Sequence, residues 1–376
     1  MRLFKGIGSI GSISSILDSH NLKRILIVSG KKSFRNSGAG QILKKILAKY
    51  EVTFFNDFEI NPKLLDVYKG LEIAEKNNIQ IIIGVGGGSV LDMSKLIKCF
   101  FRNSSIALEA LSGKVPLQDS KIPLIAIPTT AGTGSEETHF AVVYSENTKY
   151  SLAADFLRPN FVILDGKLSL SGSRYQKACN VLDAMSQCIE SAWAVNSNED
   201  SKKIALKALD ECMKYSFDFV NEKNDKQKIS QKMLEASNLS GKAINFSKTT
   251  AAHAWSYAFT SFFNLPHGHA VWMTLPRIFK IHSHSGNTYN DPRGEKHLLQ
   301  IIDELMNLMS ISNASSIEKY FDKFLNSIGV DVEFEKIESL SIKKRIELSK
   351  SANIERMKNN PVNFSQQQIE YIFQIK

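Results

Sequence analysis

Three observations predict an α/β domain with a parallel sheet, followed by an all-α C-terminal domain. Short β-rich runs alternate with helix-period runs through the first 165 residues. Several of these runs are apolar throughout, as over residues 79–83, which suits strands buried on both faces of a helix-covered sheet. Beyond Leu168 the chain turns to long helix-period segments with few β-branched runs and few prolines.

RILIVSG, from Arg24, reads as a buried strand, and GAGQILKKILAKY, from Gly38, as a helix. VTFF is a short strand, residues 62–77 form a long amphipathic helix, and IQIIIGVGGG is a strand that runs into glycines. IPLIAIP, from Ile122, is a further buried strand and leads into the small-residue loop TTAGTGSEET. HFAVVYS and KYSLAA are candidates for a hairpin at the domain's edge, and FVILD, ending at Asp165, is the last strand expected. The change of character places the domains at 1–167 and 168–376. Ligands of such folds bind beyond the C-terminal ends of the strands, so the loops there are read for chemistry.

Composition excludes some classes of function. The net charge is +9, but Lys and Arg are spread along the chain without interleaved aromatics, and a cluster such as Lys343, Lys344 and Arg345 falls on a solvated helix. Nucleic acid is therefore not an expected partner, whereas an anionic cofactor or substrate suits the excess charge. No window approaches the roughly 18 to 20 apolar residues of a membrane span. The opening MRLFKGIGSIGSISSIL is broken by Gly and Ser and shows no signal-peptide core, so a cytoplasmic protein without a membrane partner is expected. Cys99, Cys179, Cys188 and Cys212 lack CxxC spacing and are expected as free thiols.

Two loops offer phosphate chemistry. GVGGGSVLDMSK follows a strand and opens a helix, where backbone amides and the positive helix end favour a pyrophosphate. Gly86, Gly87, Gly88 and Ser89 would line that site; a tight turn capped by Ser89 is the plainer reading. The spacing matches neither the GxGxxG dinucleotide fingerprint nor a P-loop. Asp92 and Lys95, one turn apart, could orient the loop or reach ligand oxygens, although a solvated ion pair would look the same. The second loop could supply donors from Thr129, Thr130, Thr133 and Ser135, or be only a flexible connection.

Metal chemistry is suggested further on. TTAAHAWSYAFTSFFNLPH places His253 at the start of an apolar helix and His267 just past its end, after Asn264 and Pro266 stop the helix. In NVLDAMSQCIESAW, Asp183 and Gln187 share one face of a helix with apolar neighbours. A divalent cation held by Asp183, His253 and His267 would supply the partner that an inward-facing aspartate needs, with Gln187 a weak oxygen ligand or a group hydrogen-bonded to one. Two ordinary satisfied histidines are the plainer alternative.

Taken together, these motifs resemble the iron-containing, or group III, alcohol dehydrogenase family. The resemblance is carried by GGGS-x-x-D-x-x-K (Gly86 to Lys95), PTTAGTGSE from Pro128, LRPNFVILD, LDA-x-x-x-x-IE around Asp183, the His253/His267 pair ending in PHG, and NNPVNFSQQQI near the C-terminus. It covers nearly the whole chain in order. It implies a Rossmann-like N-terminal domain and a helical C-terminal domain, an architecture shared with dehydroquinate synthase. It also implies a homodimer and an Fe(II)- or Zn(II)-dependent oxidoreductase moving hydride between a nicotinamide and a small aldehyde or alcohol. Two departures stand out. The family's usual His four residues after the Asp is Gln187, and a His common four after His253 is Tyr257, which could bond the substrate oxygen or relay a proton.

NAD-preferring relatives carry an acidic residue where Gly30 stands; Gly30 followed by Lys31 and Lys32 favours NADP(H) over NAD(H). The segment SKTTAAHAWSY…HGHA looks most like the phosphonoacetaldehyde reductase branch. Lys248 would be a charge partner for a phosphonate, as would Lys149 or Arg277. The expected reaction is reduction of phosphonoacetaldehyde to 2-hydroxyethylphosphonate. Another small aldehyde, a non-redox lyase of the dehydroquinate synthase type, or a nucleotide-binding protein whose metal site decayed at Gln187 are the alternatives.

Overall fold

The computed structural model describes residues 1–145 and 148–375. Packing gathers them into two compact units, Met1–Gly172 with Asp225–Asn238, and Ser173–Asn224 with the chain from Leu239 onward.

The first unit is built on a six-stranded sheet in the order β1-β8-β5-β4-β2-β3, every pairing parallel. Its strands are β1 (Arg2–Lys5), β2 (Arg24–Ser29), β3 (Glu51–Phe55), β4 (Ile81–Gly86), β5 (Leu124–Pro128) and β8 (Phe161–Leu164). The apolar runs bury both faces, as a parallel sheet requires. Ile25, Ile27, Ile81, Ile83, Ile125 and Ile163 pack on one side. Leu26, Val28, Ile82 and Leu124 pack on the other, against Val67 and Leu71 of the helix Leu64–Lys76 and Met93 and Leu96 of the helix Gly88–Phe100. Burial of each such side chain contributes about 1.5–3 kcal/mol. Strand β1 is not foreseen by the sequence reading: it is a four-residue edge strand, mostly exposed, with no apolar run to announce it. The expected hairpin is present as β6 (Phe140–Ser145) against β7 (Thr148–Ala153), antiparallel, with the turn at 146–147 outside the described residues.

Register brings the loops together. Ser29 stands opposite Val85 and Gly86 opposite Pro128, so β2, β4 and β5 end side by side. Strand β2 has β3 on one side and β4 on the other, and the chain reverses its direction of travel across the sheet between them. That reversal point, beyond the C-terminal strand ends, is where open α/β sheets form ligand crevices.

Segment 225–238 belongs with the first unit because Gln231 is bonded into it. Its Oε1 accepts from Gly166 N–H at 2.7 Å and its Nε2 donates to Leu164 O at 3.1 Å. Gly166 leaves room for this: a Cβ there would lie 2.4 Å from the Gln231 backbone nitrogen.

The second unit is helical, as expected, and includes the helices Arg174–Trp193, Glu199–Asn221, Ala251–Phe263 and His267–Trp272. Among the described residues its strands amount to one two-residue antiparallel pair, Thr288–Tyr289 with Val362–Asn363. A capping box of Ser173 and Gln176 opens the helix Arg174–Trp193. The four cysteines are free and buried, and no helix among the described residues is long and apolar enough to cross a membrane.

Candidate metal centre and nucleotide cradle

The helix Arg174–Trp193 carries Asp183 on a fully packed stretch, and the aspartate is buried. The helix Ala251–Phe263 carries His253 in its first turn. Asn264, left-handed at φ 53°, ends that helix, and Pro266 sets up the next, whose first residue is His267. One glycine then decides the packing. A Cβ on Gly268 would lie 1.9 Å from the Cys179 carbonyl oxygen and 2.7 Å from the Asp183 nitrogen, so only glycine lets the two helices approach this closely.

Asp183, His253 and His267 therefore converge, with one ligand atom from each inside 4.8 Å of the others. Asp183 Oδ1 lies 3.7 Å from His253 Nε2 and 3.9 Å from His267 Nε2. Tetrahedral ligands about 2.1 Å from a zinc-sized ion stand roughly 3.4 Å apart, so the trio fits one divalent cation with little movement. His267 is the partly exposed member, so the trio has one side toward solvent.

Behind His253 lies a residue the sequence reading did not single out. Glu190 is fully buried and accepts from Thr250 Oγ1 at 2.9 Å, Ala252 N–H at 2.8 Å, His253 N–H at 3.3 Å and His253 Nδ1. The Thr250 side chain does not cap the helix Ala251–Phe263, so the Glu190 carboxylate satisfies its first amides from outside. Bonded to Nδ1–H, it leaves the Nε2 lone pair of His253 for a metal. Glu190 lies seven residues after Asp183, on the same helix face. It closes the LDA-x-x-x-x-IE motif, which is the available signal but by itself assigns Glu190 no role, because a single Glu in a helix usually faces water.

The electrostatics ask for a cation. Burial disfavours charge on Asp183, yet His267 and His253 hold it below the ordinary carboxylate range. Glu190 is likewise held low against its burial, chiefly by His253. Burial pulls the His253 imidazole down, but Glu190 and Asp183 together push it up to about 9. Two buried carboxylates around one imidazole need a positive charge, and a proton or a metal can supply it.

The remaining expected residues divide. The Tyr257 ring lies parallel to His267, centroids 6.4 Å apart at 12°, beside the open side of the trio. Gln187 lies next to the trio, donating to Asp183 Oδ1 at 3.1 Å and accepting from Ser240 Oγ at 2.8 Å. The Lys248 side chain is exposed and paired with the exposed Glu355 at 2.5 Å. Arg277, another charge partner considered, rests on the Phe334 ring and shares its cavity with Glu318 and Glu370, poor company for an anion.

In the first unit, the two expected loops meet. A Cβ on Gly88 would lie 2.9 Å from Thr133 Cγ2, and one on Gly87 3.3 Å from Thr130. The helix Gly88–Phe100 begins at Gly87 with no side-chain cap, so its first amides are available to a phosphate. Ser89 is not the cap; its Oγ accepts from Asn61 N–H at 3.2 Å. Of the readings open for Asp92 and Lys95, the structure shows loop orientation. Asp92 accepts from Ser135 Oγ at 2.7 Å and Val142 N–H at 3.1 Å. The fully buried Lys95 donates to Ser135 Oγ, Thr138 Oγ1 and the Phe140 carbonyl. Burial pushes Lys95 down to about 8. Ser29 Oγ and Thr129 Oγ1, at the ends of β2 and β5, are buried without a hydrogen-bond partner among the described residues, which suits hydroxyls meant for a ligand. Gly30 packs against Ser33, and Lys31 is paired with Asp57 at 2.7 Å.

Family models match both parts of the chain: "Iron-containing alcohol dehydrogenase" over residues 1–166 and "Fe-containing alcohol dehydrogenase family, C-terminal" over residues 177–376. The bifunctional aldehyde-alcohol dehydrogenase AdhE of Escherichia coli is 29% identical over 325 residues, covering 81% of this chain and 36% of that protein. The chain thus spans about a third of that relative's length. Alcohol dehydrogenase 4 of Saccharomyces cerevisiae is 26% identical over 322 residues, covering 81% of this chain and 84% of that one. A crystal structure of sulfoacetaldehyde reductase from Bifidobacterium kashiwanohense with NAD+ superposes with a TM-score of 0.88 at 25% identity, covering 100% of this chain and 96% of that one. The chain belongs to the iron-containing alcohol dehydrogenase family.

Proposed function

We propose that this family member is a metal-dependent alcohol dehydrogenase working as an aldehyde reductase on a small anionic aldehyde, phosphonoacetaldehyde being the first candidate. The observation that carries the reaction class is the convergence of Asp183, His253 and His267 in front of the buried Glu190. A divalent ion held there would supply Lewis acidity to the carbonyl oxygen, and a nicotinamide would supply hydride. Asp183, His253 and His267 would hold the ion, and Glu190 keeps the His253 proton on Nδ1. Tyr257, stacked on His267, is the proposed proton donor to the reduced oxygen. Loop 86–89 and the hydroxyls of Ser29 and Thr129 would hold the dinucleotide.

The anionic substrate is supported by the +9 net charge and by the printed substrate of the structural neighbour, a sulfonated aldehyde. NADP(H) preference is supported by the absence of a carboxylate at Gly30 and by Lys32, since Lys31 is engaged by Asp57. A homodimer is part of the proposal, and a monomer in sedimentation velocity would remove that part.

The test is NADPH and NADH oxidation by Fe(II)- and Zn(II)-loaded protein across phosphonoacetaldehyde, sulfoacetaldehyde, lactaldehyde, glyceraldehyde and butyraldehyde. Selective turnover of phosphonoacetaldehyde with NADPH supports the full proposal. Turnover of a neutral aldehyde keeps the chemistry and discards the anionic substrate. Product formed without net change in nicotinamide absorbance moves the protein to the lyase class. His267→Ala should lose metal and turnover together while keeping its fold; normal activity in that variant removes the mechanism.

A further inference from the structure

Gln187 stands where the family resemblance places a third imidazole, the fourth ligand, and its surroundings decide what it does instead. A terminal amide has two orientations, distinguished only by its hydrogen bonds. The end facing Asp183 Oδ1, 3.1 Å away, is the N–H end, which gives that oxygen a donor. The other end is then Oε1, and it accepts the Ser240 hydroxyl at 2.8 Å. Gln187 and Ser240 are both buried, so water does not readily replace either bond.

This orientation removes Gln187 from the ligand set. Its oxygen is turned to Ser240, and an amide nitrogen carrying two protons has its lone pair delocalised into the carbonyl and offers none to a cation. What it offers is a hydrogen bond to the oxygen of Asp183 that faces both imidazoles. We propose that Gln187, held by Ser240, is a positioning residue that fixes the Asp183 carboxylate, and that the protein supplies three metal ligands where the family pattern has four. With the Gln187 oxygen turned away, one more coordination position is left for substrate oxygen. The inference rests on the metal reading of Asp183, His253 and His267.

The experiment uses the full chain loaded with cobalt(II), whose visible absorption reports the number and kind of ligands, with affinity measured against a chromophoric chelator. Gln187→Leu should keep the wild-type cobalt spectrum while its metal dissociation constant rises about 10- to 100-fold, the usual cost of losing a partner behind a ligand. Ser240→Ala, the milder change, should also keep the spectrum and weaken binding less. Gln187→His should change the spectrum and tighten binding by adding a nitrogen. A cobalt spectrum altered in Gln187→Leu, as by loss of a ligand, overturns the inference while leaving the metal site intact. So does wild-type affinity in both Gln187→Leu and Ser240→Ala. A wild-type chain that takes up no cobalt overturns the metal reading, and this inference with it. Thermal melts of the metal-free variants establish folding; should Gln187→Leu not fold, Ser240→Ala alone decides.

Discussion

The Glu190 carboxylate accepts from four donors, two of them on His253, so its loss should be felt at the metal and at the helix start together. Glu190→Gln keeps an acceptor but loses the charge, and one end of its amide must present N–H where the carboxylate only accepted. Metal affinity should fall about 10- to 100-fold in that variant, measured by chelator competition. An unchanged affinity would mean that His253 needs no orienting partner. Gly268 makes a second prediction at this scale. Any side chain there collides with the Cys179 carbonyl, which belongs to helix backbone and cannot rotate away. Gly268→Ala should therefore separate the two helices, destabilise the protein by about 1–3 kcal/mol and abolish tight metal binding. Retention of wild-type melting temperature and affinity would refute the close-approach argument.

Among elements, the proposed nucleotide cradle depends on how the loop after β5 is fastened to the helix Gly88–Phe100. Asp92 and Lys95 on that helix reach Ser135, Thr138, Phe140 and Val142, so one helix face holds the loop and the start of the hairpin. Asp92→Ala leaves Lys95 buried with its nearest counter-charge gone and removes the shorter of the two bonds that Ser135 Oγ makes to this helix. If the loop contributes to the cradle, dinucleotide binding should weaken by about tenfold, equivalent to 1.4 kcal/mol. Fluorescence titration with NADPH checks this, and equal affinity would make the contacts purely structural. Most of these elements are legible in the sequence, because glycines after an apolar strand and a Thr/Ser-rich loop after another have local causes. Which partners Asp92 and Lys95 take is not, since those partners lie some forty residues away and are set by strand register.

The whole molecule should show two linkages. Burial raises the Glu136 carboxyl, despite its bond from Asn238, to about 7 from an ordinary 4.5. A raised folded-state pKa gives stability that is full below pH 4.5 and is lost as pH rises through 7, because the unfolded chain ionises first. The span corresponds to about 3 kcal/mol. In urea unfolding, Glu136→Gln should lack this fall between pH 5 and pH 8, gaining on the wild type as pH rises; parallel curves would place Glu136 outside the linkage. The second linkage is to metal. A divalent ion at a hundredfold excess over its dissociation constant adds about 2.7 kcal/mol to whatever unfolds with the site. A chelator should thus lower the melting temperature by several degrees in wild type and leave His267→Ala unmoved.

By itself the sequence determined the parallel sheet and the helical second half, and it picked out the two loops that meet in the first unit and the three residues, Asp183, His253 and His267, that converge in the second. Each depends on residue type and local spacing: apolar runs long enough to bury both strand faces, glycines at strand ends, and imidazoles at the two ends of one short helix. It did not announce β1, whose exposed edge carries no hydrophobic pattern, nor that Asp225–Asn238 packs with the first unit through Gln231. Only tertiary structure decided that Lys248 pairs with Glu355, that Gln187 turns its oxygen to Ser240, and that Glu190 stands behind His253. The reason is common to all three. A side chain's chemistry is written in its type, but which of its atoms faces a ligand is settled by partners distant in sequence, and those are chosen by packing.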